Sequence, residues 1–218
     1  MLYDKHKFEI ACNDPKLNFI YKNIKEIKNI KILELGVDNG VTTSLFLKLC
    51  EDNNGKLISV DVRDFSHLYK NNRWNFIHTR DDNFKIINKE ILDMGGLDLL
   101  YIDSHHEANH VKKIFYHYYK LLNKGGIIFI DDISWLPYAK SSDRESSGMY
   151  EANYKTFEKL LEIKFNNHNK FDLEFSFEKA GTAKITKLND SDLNESEKIK
   201  QVFSLKNLLK TVFKNFTN

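Results

Sequence analysis

The chain has 218 residues, enough for one domain with a substantial core, and its 41% hydrophobic and 13% aromatic content excludes a disordered chain. Its 33 Lys and Arg against 31 Asp and Glu leave a formal net charge of +2, which gives no electrostatic case for a nucleic-acid partner, whose backbone is met by clustered positive charge. Cys12 and Cys50 make neither a disulfide framework nor a metal-ligand cluster. No apolar run approaches the ~20 residues of a membrane span, and Met1 to His6 is too polar for a signal peptide, so the expected location is the cytoplasm.

Short apolar runs alternate with longer helical ones, the pattern of an α/β fold with a mostly parallel sheet. Strands are predicted at Ile30–Leu35, Lys56–Val60, Trp74–His78, Leu97–Ile102 and Gly126–Ile130. Between them the helical stretches are Thr42–Cys50, Asn83–Leu92 and Ala108–Leu121. Cys50 falls on the buried face of the first and reads as a reduced core thiol. Asn83 suits a helix start, because short polar side chains cap free N–H groups. Lys124-Gly125-Gly126 is predicted to end the third helix and turn the chain into the fifth strand.

The rhythm then changes. Residues 134–150 are polar and serine-rich and read as a mobile loop, followed by a helix near Tyr150–Phe165. Strands at Asp172–Phe177 and Ala183–Thr186 flank Gly181 and suggest a closing antiparallel pair. Residues 1–188 read as one domain and 189–218 as an appendage. In the appendage a polar link leads to an amphipathic helix with Leu205, Leu208, Leu209, Val212 and Phe216 on one stripe and Lys206, Lys210 and Lys214 on another. Such a helix packs on its own domain or on a second subunit, making a homo-oligomer. The alternative is a basic helix lying on an anionic membrane.

The chemistry gathers at the predicted strand ends. Ile32 to Gly40 joins the first strand to the first helix through Gly36 and Gly40, which allow a tight turn and close approach of a ligand. The spacing is Gly-x-x-x-Gly, so the Gly-x-Gly-x-x-Gly loop of NAD-binding proteins is absent. Asp61 follows the second strand, where an acid can accept from both hydroxyls of a ribose. Asp81 and Asp82 follow the third, placed to receive the exocyclic amine of adenine. Singly, each feature reads equally well as a turn or a cap.

In order and at one sheet edge, these residues resemble the class I S-adenosylmethionine-dependent methyltransferases. Glu34-x-Gly36-x-x-x-Gly40 is similar to their first motif, Asp61 to their second-strand acid, and Asp82 or Asp81 to their adenine contact. The resemblance runs from about Ile30 to Thr186 and implies a Rossmann-like seven-stranded sheet with helices on both faces. It also implies that Glu34 and Gly36 lie by the methionine portion and Asp61 binds the ribose, with Asn39, Gly40 and Asp103 completing the cofactor set. Asp38 stands where many members have glycine.

A second constellation follows from adjacency. Asp103 ends the fourth strand, and Asp131 and Asp132 end the fifth, so neighbouring parallel strands should set the three acids face to face. Such a trio repels itself unless a cation or protons intervene. Mg²⁺, or another hard divalent ion, is the expected occupant, because it prefers oxygen ligands and leaves positions open. The competing reading is that these acids cap the following segments. A metal would lower the pKa of a sugar or catechol hydroxyl and fix its oxygen, and His106, three residues after Asp103, is the candidate base.

This half resembles the metal-dependent O-methyltransferases that modify sugars on macrolides and rhamnosyl groups. Ile102-Asp103-Ser104-His105-His106 is similar to their Ile-Asp-Gly-x-His run, with Ser104 in place of glycine. Catechol-type members carry lysine at the base position, so His106 favours sugars. The reading is therefore O-methylation of a small molecule or glycan precursor. N-methylation of an amino sugar and a non-catalytic scaffold are the alternatives. His110, Tyr116, His117, Tyr118 and Tyr119 read as packing or surface, and Trp135, Tyr138 and Arg144 as candidates to close over substrate.

Overall fold

The computed structural model describes residues 3–140 and 143–198. The chain opens with α1 (Lys5–Asn13) and α2 (Pro15–Ile24), followed by β1 (Lys31–Leu35), α3 (Val41–Asn53), β2 (Lys56–Asp61) and β3 (Trp74–His78). Then come α4 (Phe84–Met94), β4 (Leu97–Ile102), α5 (Ala108–Tyr119) and β5 (Leu122–Asp131). A 3₁₀ turn (Leu136–Tyr138), α6 (Arg144–Asn166), β6 (Phe171–Ser176) and β7 (Thr182–Lys187) close the described fold.

The seven strands lie in the order β3-β2-β1-β4-β5-β7-β6. The first five are parallel, and β7 runs antiparallel to both β5 and β6. The order reverses between β1 and β4, so a crevice opens at their carboxyl ends, where ligands collect in sheets of this kind. Side chains alternate along the strands, and each face has its own core. Leu33, Leu35, Ile58, Leu100 and Ile128 pack under α4, α5 and α6, through Ile91, Phe115 and Leu160. Ile32, Leu57, Leu99, Tyr101 and Phe129 pack under α1, α2 and α3, through Ala11, Ile20 and Phe46. Cys50 is buried in that second core, and burial pushes its thiol up to about 12, so it is an inert packing group.

The predicted strands and central helices stand within a few residues of their expected bounds, and four details differ. Helices α1 and α2 were not anticipated; Asp4 and Asp14 start them by accepting from the first free N–H groups. Lys124-Gly125-Gly126 does not separate α5 from β5. The helix ends at Tyr119, and the triplet lies inside β5 as a bulge, with Leu97 opposite Leu122 but Leu99 opposite Ile127.

The serine-rich stretch is not a long loop, since α6 begins at Arg144 and includes Ser146, Ser147 and Gly148. Asp143 caps it, and buried Asn153, Thr156, Leu160 and Ile163 anchor the turns beyond, outweighing the poor local helix propensity. Asn83 takes the cap position of α4 but makes no capping bond; its amide donates to Thr79 instead. Residues 189–198 form no helix, and the lysine and leucine stripes from Leu205 to Phe216 lie outside the described residues. Among the described residues no helix is long and apolar enough to cross a membrane.

Candidate active site

The turn after β1 is built for close approach. Gly36 has φ +98°, and a Cβ there would run into the carbonyl oxygen of Asp103 at the end of β4. Glycine thus lets the two strand ends meet at the reversal point. Gly40, at φ +79°, forms the cap of α3. Asp61 locks the turn from the next strand: one carboxylate oxygen accepts from the Val37 N–H at 2.9 Å and the other from the Arg63 N–H at 2.8 Å.

A cavity of about 640 Å³ opens over this turn, a volume suited to a nucleoside-sized ligand. Of the residues expected to hold the cofactor, Gly36, Asn39, Asp61, Asp81 and Asp103 line it. Glu34 and Gly40 do not. Glu34 is fully buried beneath the floor, where it accepts from the Ser59 hydroxyl at 2.6 Å and the Thr43 hydroxyl at 2.9 Å. Burial pushes its carboxyl up to about 8, against the opposing pull of those two hydroxyls. Glu34 therefore ties β1 to α3 and β2 and acts on a ligand only through the shape of the turn.

The pair after β3 divides its labour. Asp81 is buried at the cavity wall and accepts from the Ser104 hydroxyl at 2.5 Å, with His110 Nε2 at 2.8 Å. Asp82 is not among the lining residues. It pairs with Arg80 at 2.9 Å and Lys113 at 3.0 Å, which hold its carboxyl far below the usual range. Asp81 is thus the adenine candidate of the two, and His110 holds its carboxylate from α5 without lining the cavity. The other ring residues of α5 do pack: His117 stacks on Phe84, and Tyr118 and Tyr119 are buried.

The acids of β4 and β5 come together as adjacency required. The buried Tyr101 hydroxyl bridges them, 3.1 Å from Asp103 Oδ2 and 3.0 Å from Asp131 Oδ2. His106 Nε2 stands 3.7 Å from Asp103 Oδ1 and 3.6 Å from Asp132 Oδ2, overlooking both. Burial, then the charge of Asp131, pushes Asp103 well up from its ordinary value, and the same two causes raise Asp132.

What sequence reasoning missed is Lys16. From the first turn of α2 it places Nζ 2.5 Å from Asp131 Oδ2 and 3.9 Å from Asp132 Oδ1. This changes the metal expectation. Asp131 is saturated: Oδ2 takes Lys16 and Tyr101, while Oδ1 takes the Asp132 N–H at 2.9 Å and the Thr182 hydroxyl at 3.4 Å. A divalent ion on all three acids would stand against an ammonium group, so the trio as arranged does not fit Mg²⁺. Among the described residues, no group of three or more His, Cys, Asp and Glu side chains is placed to hold a metal ion.

A second cavity of about 460 Å³ adjoins the first, sharing Ser104 and His105 and adding His106, Gly148, Glu151 and Lys155. Among the described residues its lining carries the hydrogen-bonding side chains of Glu107, Glu151 and Lys155 beside Ala108 and Ala152. Trp135 packs edge-on against Tyr154 at 5.1 Å and against Phe157 at 5.0 Å, and so is a support for α6 and not a closing flap. Tyr138 lies near enough to Asp132 for that charge to help burial raise its hydroxyl pKa, and Arg144 opens α6.

Comparison with known proteins agrees with this geometry. Residues 33–133 match a family model described as a methyltransferase domain. No curated protein matches the chain. Among solved structures, the MycE methyltransferase of the mycinamycin biosynthetic pathway, in complex with Mg and SAH, is similar at TM-score 0.59 and 17% identity over 82% of this chain. The chain spans about half of MycE, covering 51% of it. The SAH-bound methyltransferase PaMTH1 of Podospora anserina gives TM-score 0.63 and 14% identity, over 84% of this chain and 87% of that one. A putative caffeoyl-CoA O-methyltransferase of Staphylococcus aureus gives 0.57 and 17%, over 85% and 84%. With a methyltransferase domain matched over residues 33–133, the seven-stranded order and a nucleoside-sized cavity at the β1–β4 reversal, the chain carries a methyltransferase domain on the fold that these SAH-bound methyltransferases share.

Proposed function

We propose that the chain methylates a hydroxyl of a small polyhydroxylated acceptor, such as a sugar or glycan precursor, with His106 as the base. The observation that carries this reading is the place of His106. Its Nε2 is within 4 Å of Asp103 and Asp132, and it lines the second cavity next to Ser104 and His105, which the two cavities share. Gly36, Asn39, Asp61 and Asp81 would hold S-adenosylmethionine in the first cavity, where its sulfonium would supply an electrophilic methyl group. The acceptor oxygen attacks the methyl carbon in line, the carbon–sulfur bond breaks with its electron pair returning to sulfur, and the hydroxyl proton passes to His106.

Asp103 and Asp132 flank the imidazole at 3.7 and 3.6 Å and hold it in place. Glu151 and Lys155 line the second cavity with His106 and are groups that could hydrogen-bond a hydroxylated acceptor. MycE, a methyltransferase of the mycinamycin biosynthetic pathway seen in complex with Mg, SAH and mycinamycin VI, has a similar fold. Asp131 is committed to Lys16, so the acceptor proton is left to His106.

The test is transfer of labelled methyl from S-adenosylmethionine to a panel of diol sugars, amino sugars and catechols. Label on a sugar oxygen supports the proposal. Label on an amine or a catechol replaces it with another acceptor class. Binding of S-adenosylhomocysteine with no transfer to any acceptor class would favour a scaffold.

A further inference from the structure

Lys16 is a cation in an awkward place. It occupies the first turn of α2, where free N–H groups already give the helix end a partial positive charge, so an ammonium there is disfavoured unless acids compensate it. It is also largely covered, with 17% of its side chain exposed. Burial works to lower its pKa, and the charge and hydrogen bond of Asp131, followed by Asp132 and Asp103, more than reverse that and raise it.

The surrounding chain holds it there from two sides. Asp14 caps α2 by accepting from the Lys16 and Leu17 N–H groups at 2.9 and 3.2 Å. Its other carboxylate oxygen is tied at 2.5 Å to Lys179, in the turn between β6 and β7. Gly181 of the same turn packs against Ser134, just beyond Asp132. The start of α2 is therefore clamped across the end of β5, with its second residue aimed into the acids.

Three carboxylates, one ammonium and one imidazole thus share the end of β4 and β5. Resting on the methyl-transfer reading of this site, we propose that Lys16 is its resident cation. It holds Asp131 and Asp132 where a divalent ion would otherwise sit, so the chain excludes such an ion and works without one. Lys16 acts through the carboxylates it pairs with and is a positioning residue. Its ammonium stops Asp131 from repelling Asp103 and Asp132, leaving the outer oxygens of those two acids turned toward His106. An asparagine-like neutral partner at position 16 could not do this; a fixed charge is required.

The probe is Mn²⁺, whose free-ion electron paramagnetic resonance signal is lost on binding, titrated into the full chain saturated with S-adenosylhomocysteine. Three chains are compared: wild type, Lys16→Met and Lys16→Arg. Wild type and Lys16→Arg should leave the signal intact. Lys16→Met should take up one Mn²⁺ per chain, at least about tenfold more tightly, because it bares a carboxylate trio. Uptake of one ion by wild type, with no gain in Lys16→Met, overturns the proposal. So does the lack of uptake by both, since Lys16 would then be withholding nothing. Lys16→Gln repeats the contrast should the methionine variant fail to fold. Retained S-adenosylhomocysteine binding by wild type keeps either failure separate from a failure of the methyltransferase reading, which would show as loss of that binding.

Discussion

The two halves of the site are made in different ways. The cofactor side is local: Gly36, Asn39 and Asp61 sit within or beside one strand–turn–helix unit, and backbone N–H groups on that turn meet the Asp61 carboxylate. The acid side is assembled over distance. Lys16 and Asp131 are 115 residues apart, and Asp14 and Lys179 are 165 apart. Local geometry shapes a binding surface that many relatives can share, whereas long-range charge pairs decide what chemistry is done beside it. Changes on the two sides should therefore separate, binding on one and turnover on the other.

The largest separation is expected at His106. His106→Ala should slow methyl transfer by about 10²–10⁴-fold, the usual contribution of a positioned base, while leaving S-adenosylhomocysteine affinity unchanged by calorimetry. A parallel loss of affinity would break the division. Asp61→Ala should do the reverse and weaken S-adenosylhomocysteine by roughly 100-fold, since it frees the Val37 and Arg63 N–H groups that shape the turn and removes the carboxylate proposed to bind ribose.

A smaller effect concerns the floor beneath both halves. The Glu34 carboxyl, near 4.5 when unfolded, is pushed up to about 8 by burial, so the folded chain keeps a proton that the unfolded chain gives up. Its contribution to stability is fully present below pH 4.5 and is lost as pH rises through about 8. Urea midpoints at pH 5, 7 and 9 should fall with pH more steeply in wild type than in Glu34→Gln, by a slope difference on the order of 1 kcal/mol per pH unit within that window. Equal slopes would mean that Glu34 is ionised where it lies.

The finest contrast is between neighbours. Asp81→Asn should weaken S-adenosylhomocysteine about tenfold, and Asp82→Asn by less than about twofold, because an exposed ion pair contributes little. The opposite ranking would move the adenine contact to Asp82.

The same contrast explains what could be read from the sequence. The five parallel strands, the Gly36 turn, Asp61 and the facing of Asp103 with Asp131 followed from periodicity and strand adjacency, which are short-range rules. Choosing Asp81 over Asp82 required the positions of Ser104 and His110 on one side and Arg80 and Lys113 on the other. Lys16 carried one weak local signal, a lysine just inside a helix begun by Asp14-Pro15, where the dipole argues against it. That signal is legible only once α2 is known to be a helix. The bulge at Lys124-Gly125-Gly126 was hidden because glycines near a helix end also read as a stop.

The clamp of α2 across β5 also bears on how the chain reaches its native state. Lys16 precedes Asp131 by more than half the chain, so closing their contact carries a loop-entropy cost that grows with the intervening length. Helices and neighbouring strands form from nearer contacts. The contact of Lys16 with the acid cluster is then among the last to close, and until α2 docks, the end of the sheet lacks the ammonium that compensates Asp131. A folding intermediate with the sheet in place and α2 loose would be the form most dependent on salt, whose counter-ions screen that carboxylate until the lysine arrives.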